Sequence, residues 1–430
     1  METNNQNNNK VLLIGINKGD DELFHYEMTE MENLCIALDL HVIETITQNL
    51  PVPVTATYLG SGKLDEVRRY AEETKVDYVI FNDELSPIQF KNISNFLNTP
   101  VLDRTMLILE IFKTRARTKE AVLQVALAEE KFKLPRLAGS YTSLSRIGGG
   151  GGGTSGARRG SGETKLELDR RHIENRITKL KSELDDIVMA RKVNRKARTT
   201  NNIPVVALVG YTNAGKSTMM NMLLNMYNKD ENKQVFVKDM LFATLETSTR
   251  SIKLPNNLEF LLTDTVGFVS KLPHHLVESF KSTLEEITEA SLIIHVIDAS
   301  SPYLELQVNT TNEVLTKLGV NDIPIVYAVN KIDKLPSNMY IPKNYSPAVY
   351  VSALTQEGYP ELVDYIQTSI FKDLVTNTYL LPFNRGDIYN IMKEKGEVYE
   401  TSYLPEGILV KVQLSSRLAN TYQEYLYNNK

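Results

Sequence analysis

The chain has 430 residues, 42% apolar and 23% charged, with a net charge of −5. That length predicts two to four domains with real cores, and the one cysteine, Cys35, excludes an internal disulfide and fits a reducing compartment. No run approaches the roughly eighteen apolar residues that cross a bilayer, and the start M-E-T-N-N-Q-N-N-N-K lacks the apolar heart of a signal peptide. A polar, disordered tail over 1–9 and a cytoplasmic location are therefore expected.

From 10 to 102, short apolar runs alternate with helical patterns. Strands are predicted at 11–16, 42–45, 78–81 and 100–102, with helices near 26–38, 63–73 and 87–97, which together give a small parallel α/β domain. Gly60-Ser61-Gly62-Lys63 invites a phosphate-loop reading but lacks the four-residue spacing and the hydroxyl residue after lysine. A glycine turn capping a helix is the favoured reading.

Residues 103–200 read as a helical hairpin. The stretch 103–134 lacks glycine and proline, carries apolar residues at helical spacing and is expected to stop at Pro135. A second helix is predicted over 163–198, where Leu166, Ile173, Ile177, Leu180, Leu184 and Ile187 fall at steps of three, four or seven, with Arg170 and Arg191 on the same stripe. Such a seam packs against the first helix. Between them, about 138–161, lies a connection with six consecutive glycines, 148–153; a loop of that length without structure is functional or disordered. From 113 to 198 there are 21 Lys and Arg against 10 Asp and Glu, so the remainder of the chain is strongly acidic. That asymmetry fits a basic arm meeting a polyanion; a solvated charged helix pair with a plain linker is the alternative. Tyr141, Arg146, Arg158 and Arg159 near the tip are the candidate RNA contacts.

The most informative stretch follows. G-Y-T-N-A-G-K-S-T at 210–218 comes directly after the apolar run 205–209, a strand feeding a glycine-rich turn that opens a helix. Gly210 and Gly215 permit the tight curl, so the amides of Tyr211, Thr212, Asn213, Ala214 and Thr218 surround a phosphate. Lys216 supplies a cation to the β and γ phosphates and Ser217 a hydroxyl to Mg2+. L-F-A-T places Phe242, Ala243 and Thr244 in a switch segment, with Thr244 meeting the metal only while a γ-phosphate is present. Strand 258–264 ends in Asp264, which holds the magnesium shell indirectly, and Thr265, Val266 and Gly267 complete D-T-V-G. Asn330, Lys331 and Asp333 end another apolar run, where a carboxylate can accept two hydrogen bonds from guanine, and Ser352, Ala353 and Leu354 close the base pocket. The set predicts a GTP-binding hydrolase over 201–373, with Lys216, Thr244 and Gly267 closest to the chemistry.

Phe268 follows the D-x-x-G glycine, where Ras-like switches carry a glutamine that orients water. Hydrolysis is expected to rely on positioning, electrostatics and help from a partner. Asn213 raises K+ as a second cation; a loop asparagine that only satisfies a backbone group is an equal alternative. Glu246 and Thr247 receive no catalytic role, and His274 and His275 lack a third ligand at suitable spacing. Residues 374–430 are expected to form a small α/β domain, two strands around the turn 404–407 and a final helix over 415–427.

The nucleotide motifs, together with D-R-T-M-L-I-L-E-I-F-K-T-R-A-R-T-K-E-A and G-S-G-E-T-K-L-E-L-D-R-R-H-I, resemble the HflX family of ribosome-associated GTPases over nearly the whole chain. The fold expected is a multidomain α/β chain: an N-terminal parallel α/β domain, a helical hairpin with a Gly-rich loop, a P-loop GTPase domain and a small C-terminal domain. The resemblance implies a factor for the large ribosomal subunit and its RNA that separates stalled or idle ribosomes under stress, with the hairpin directed to the peptidyl-transferase region. A GTP-dependent assembly or dormancy factor is the alternative. Ser161 stands where the family usually has proline, which loosens the entry to the second helix. A monomer is expected, since no further apolar stripe stands out.

Overall fold

The structure, a computed structural model, describes residues 9–141, 157–200, 203–227, 241–242, 247–273, 276, 279–320, 322–335 and 345–427. It is a multidomain α/β arrangement. The first unit is a parallel sheet in the order β2-β1-β3-β4, from β1 (Asn9–Asn17), β2 (Leu40–Asn49), β3 (Tyr78–Phe81) and β4 (Val101–Asp103). The alternation of strand side chains splits β1 between two cores. Val11 and Leu13 face α1 (Asp21–Ile36) and α4 (Arg104–Arg115), while Leu12, Ile14 and Ile16 face α2 (Ser61–Thr74) and α3 (Pro87–Leu97). The helix starts carry their own signals: Asp20 accepts from the Leu23 amide at 3.0 Å, and Ser86 and Gln89 form a reciprocal capping box around Pro87. Lys63 sits in the first turn of α2, whose cap is Gly60.

The helix expected over 103–134 is two. α4 ends at Arg115 because Ala116 turns extended, and Thr118 restarts the chain by accepting from the Ala121 amide at 3.2 Å. α5 (Lys119–Tyr141) then runs through Pro135 instead of stopping there. α6 (Ala157–Thr200) is longer than predicted at both ends. Leu123 and Leu127 of α5 meet Leu180 and Leu184 of α6, flanked by Ile177 and Ile187, so the predicted seam is a packed one. Ile173 is half-buried on the same helix, and the side chain of Leu166 lies outside the described residues.

The second sheet has the order β10-β9-β8-β5-β7-β6. Its strands are β5 (Val205–Gly210), β6 (Ser248–Lys253), β7 (Glu259–Asp264), β8 (Leu292–Asp298), β9 (Ile325–Asn330) and β10 (Ala348–Tyr350); only β6 runs antiparallel. α7 (Lys216–Tyr227) and α10 (Tyr359–Ile370) cover one face. The other face, with α8 (Lys281–Thr288) and α9 (Leu304–Lys317), shares one continuous apolar cluster with α1, α4 and α5 of the preceding units: Leu34, Leu107, Phe112 and Val125 lie in it with Val209, Val266, Phe268 and Phe280.

The last unit has three strands, one more than expected. β11 (Leu374–Leu381), β13 (Gly407–Ser415) and β12 (Glu397–Leu404) are antiparallel in that order, packed on α11 (Gly386–Lys395) and the short α12 (Ser416–Thr421). The expected terminal helix is thus one short helix and a turn at Gln423–Tyr425. Among the described residues, no helix is long and apolar enough to cross a membrane.

Candidate functional site

Strand β5 is buried from Val206 onward and delivers the chain to Gly210 at the carboxyl edge of the sheet. Gly210 has φ +147°, and a Cβ there would lie 2.3 Å from the Val296 carbonyl oxygen of β8. Gly215 has φ +99°, and its Cβ would fall 2.2 Å from Asn330 Nδ2. Both positions therefore demand glycine for space as well as for conformation. Asn213, at φ +61°, completes the curl.

Lys216 opens α7 with its side chain buried, donating to the Gly210 carbonyl at 3.0 Å and the Tyr211 carbonyl at 2.7 Å. Burial pushes its ammonium down to about 8; Asp264 pulls it upward and Lys331 opposes. The Ser217 hydroxyl donates to Asp264 Oδ2 at 2.6 Å, which joins the loop to the end of β7. Thr265 is fully buried and donates to the Leu208 carbonyl at 2.7 Å, fixing the chain just past that carboxylate. The next residues fold back over the loop. Thr212 N–H donates to the Phe268 carbonyl at 2.8 Å and Phe268 N–H to the Gly210 carbonyl at 3.2 Å.

The predicted base-binding residues converge from β9 and from the segment after β10. Asn330 donates to the Ala214 carbonyl at 2.9 Å, tying this corner to the phosphate loop. Lys331 stands in the left-handed region, its Nζ bridging the Asn213 carbonyl at 2.8 Å and Asp298 Oδ2 at 2.7 Å. Ser352 Oγ donates to Asp333 Oδ1 at 2.6 Å and receives the Leu354 and Thr355 amides, so it orients the carboxylate. Ala353 lies beside the core, and Leu354 is 81% exposed, an apolar wall at the rim.

Phe242 is buried, with its ring edge to face on Phe112 of α4. Ala243 and Thr244 lie outside the described residues, as do Glu246, His274, His275 and Arg146. Tyr141 is the last residue of α5, and Arg158 and Arg159 lie in the first turn of α6.

Several residues that the sequence reading passed over join this arrangement. Asp298 ends β8 in register with Asn330 and neutralises Lys331; the D-A-S run after an apolar strand was the available signal. His295, one strand position back from the Gly210 register, is buried with no partner on Nδ1 among the described residues. Burial, reinforced by the charge of Lys216, holds it down to about 3 and therefore neutral. Glu30 of α1 accepts from Arg104, Tyr211 and Ser270, three residues of three different segments. No pattern of spacing announces such a contact.

A glycine loop with a buried lysine, a hydroxyl–carboxylate pair at the ends of two strands, and an N-K-x-D turn braced by serine define a P-loop GTPase. Residues 205–331 match the family model described as "50S ribosome-binding GTPase", 25–113 the "GTP-binding GTPase N-terminal" region and 115–198 the "GTP-binding GTPase Middle Region". The protein called GTPase HflX in Caldanaerobacter subterraneus subsp. tengcongensis is 41% identical over 97% of this chain and 93% of its own. That of Lacrimispora saccharolytica is 38% identical over 95% of this chain and 94% of its own. A GDP complex of the protein SsGBP aligns with 84% of this chain and 98% of its own, at 26% identity and a TM-score of 0.47. The chain belongs to the HflX family of GTPases, and it hydrolyses GTP.

Proposed function

We propose that this GTPase acts on the large ribosomal subunit, separating or rescuing stalled or idle ribosomes under stress, with the basic helical pair α5–α6 as the arm that meets ribosomal RNA. The observation that carries the reading is one chain joining a GTPase unit, whose family model is described as 50S ribosome-binding, to a strongly basic helical pair. α6 supplies much of that charge, and exposed Arg170, Arg171 and Arg176 stand along it. Tyr141, Arg146, Arg158 and Arg159 are the proposed RNA contacts at its tip.

Within the site, Gly210 to Thr218 hold the phosphates, Lys216 bridges β and γ, and Asp333 reads guanine with Ser352, Ala353 and Leu354 around the base. Ser217 and Asp264 present a hydroxyl and a carboxylate, hard oxygen donors that suit Mg2+. Among the described residues no group of three or more His, Cys, Asp or Glu is arranged to hold a metal, so the ion would depend on nucleotide oxygens and on Thr244 for its remaining ligands. K+ beside Asn213 would add positive charge near the β and γ phosphates. Phe268 is buried in the shared core and offers no group to orient water. Turnover would then be slow until the ribosome orders Thr244 and Gly267. The units 10–102, 103–200, 201–373 and 374–430 would work as a monomer in the cytoplasm, partly ribosome-bound.

The test is GTP turnover by the purified protein with and without large subunits. Strong stimulation supports the reading; equal rates overturn it. Replacing potassium by sodium with no change in rate removes the potassium assignment.

A further inference from the structure

Tyr211 occupies the second position of the phosphate loop, yet its hydroxyl points away from where a nucleotide would sit. It donates to Glu30 of α1 and accepts from the Ser270 amide at 2.6 Å. Ser270 Oγ also donates to Glu30, and Arg104 donates to Glu30, to Ser270 Oγ at 2.9 Å and to the Ser270 carbonyl at 3.2 Å. All four residues are buried. Burial, with the Glu30 carboxylate alongside, holds the Tyr211 phenol far above its usual range, so it remains a donor. Next door, Lys271 bridges Glu27 at 2.6 Å and Asp83 at 2.7 Å of the N-terminal unit.

This cluster pins the segment after Asp264 against the loop. A Cβ on Gly267 would lie 2.7 Å from Thr212 Cγ2 and 3.0 Å from Lys216 Nζ, so not even a methyl group fits between them. A γ-phosphate held by Lys216 on one side and the Gly267 amide on the other needs a tetrahedral anion's width in that gap. GDP makes no such demand.

We propose that Tyr211, through its hydroxyl, sets the preference between GTP and GDP: it holds residues 267–270 over the phosphate loop, so that only a γ-phosphate must displace them. Tyr211 is a positioning residue in this role, and the inference rests on the assignment of residues 210–218 to the nucleotide phosphates. Because the partner of the hydroxyl belongs to α1, the N-terminal unit takes part in nucleotide choice, and by reciprocity γ-phosphate binding loosens its hold.

The experiment compares the affinities of fluorescent GDP and of a non-hydrolysable GTP analogue for the full chain and for Tyr211→Phe, which keeps the ring. Loss of one buried hydrogen-bonded hydroxyl is expected to raise the ratio of analogue affinity to GDP affinity about fivefold (~1 kcal/mol). An unchanged ratio, or an equal fall for both nucleotides, overturns the proposal. A wild-type chain that binds neither nucleotide removes the phosphate-loop assignment itself and the inference with it. A second measurement needs no variant: amide exchange of the wild-type residues 268–271 should be slow with GDP and faster with the analogue. Equal or greater protection with the analogue overturns the proposal as well.

Discussion

Phe112 of α4 and Phe242 of the GTPase unit meet edge to face, with ring centroids 4.7 Å apart and planes at 81°. The same Phe112 ring meets Phe280 at 4.8 Å and 74°. One aromatic side chain of α4 thus touches two segments of the GTPase unit. Phe112→Ala removes a buried ring from the centre of the shared core and should cost about 3–5 kcal/mol of stability. Phe112→Leu should cost less and still alter GTP turnover, because the edge-to-face contacts with Phe242 and Phe280 are lost. Thermal unfolding and single-turnover hydrolysis, measured together, check both.

Lys216→Ala should lower GTP turnover by about a hundredfold or more, because a preorganised cation near developing charge is removed. Gly215→Val should abolish nucleotide binding by a different route: a Cβ there strikes Asn330 and the left-handed φ is strained. Equilibrium binding of labelled GDP separates the two.

Asp333→Asn should move base preference from guanine toward xanthine. An amide donates where the carboxylate accepted, which suits the 2-oxo group of xanthine and leaves the guanine amino group unpaired. The shift expected is about tenfold to a hundredfold in relative affinity. Ser352→Ala should weaken GTP binding without changing base preference, since Ser352 Oγ orients the carboxylate and the Leu354 and Thr355 amides while Asp333 itself is kept. Competition binding with GTP and XTP reads both outcomes.

Phe268→Gln should not accelerate hydrolysis. The side chain at this position is 2% exposed and faces the apolar cluster, so a glutamine there buries its amide away from the phosphates. The expected cost is about 3–5 kcal/mol of stability, from lost packing and a desolvated amide. Faster turnover by this variant would contradict the placement.

His295 gives the protein an acid-sensitive core. Its folded-state value is depressed to about 3 while an unfolded histidine titrates near 6.5, so the native state refuses a proton that the unfolded chain accepts. No stability is lost above that unfolded value. As pH falls below it, about 1.4 kcal/mol should go per pH unit until the folded value is reached. Melting temperatures measured from pH 7 to pH 5 should fall less steeply for His295→Gln than for the natural chain.

The phosphate loop, the strand-ending Asp264 and the Asn330–Asp333 turn are legible in the sequence because each is local: the spacing of a few residues is itself the geometry. The N-terminal strands are legible for the same reason, as short apolar runs set between turn residues. Less visible is the break at Ala116, since A-R-T offers no glycine or proline and its signal is only the cap that Thr118 provides. Pro135 misleads in the opposite direction, because α5 tolerates it. β11 was hidden because its alternation is weak at the start, with Leu374 and Val375 both half-buried. Glu30, Arg104 and Phe112 could not be found by pattern. Their partners lie far along the chain, and a buried carboxylate looks the same in sequence as a solvated one.

The shared core also sets a timetable for making the protein. Glu30 waits for Ser270, 240 residues further along the chain. At a synthesis rate of about 5–20 residues per second, that separation corresponds to about 12–48 s. Once Arg115 has been added, α1 and α4 have both been made, but for the rest of this interval the apolar side that Phe268 and Phe280 will cover has no partner. A nascent chain in this condition is a natural client for a holdase, and slowing translation between the two segments lengthens its exposure.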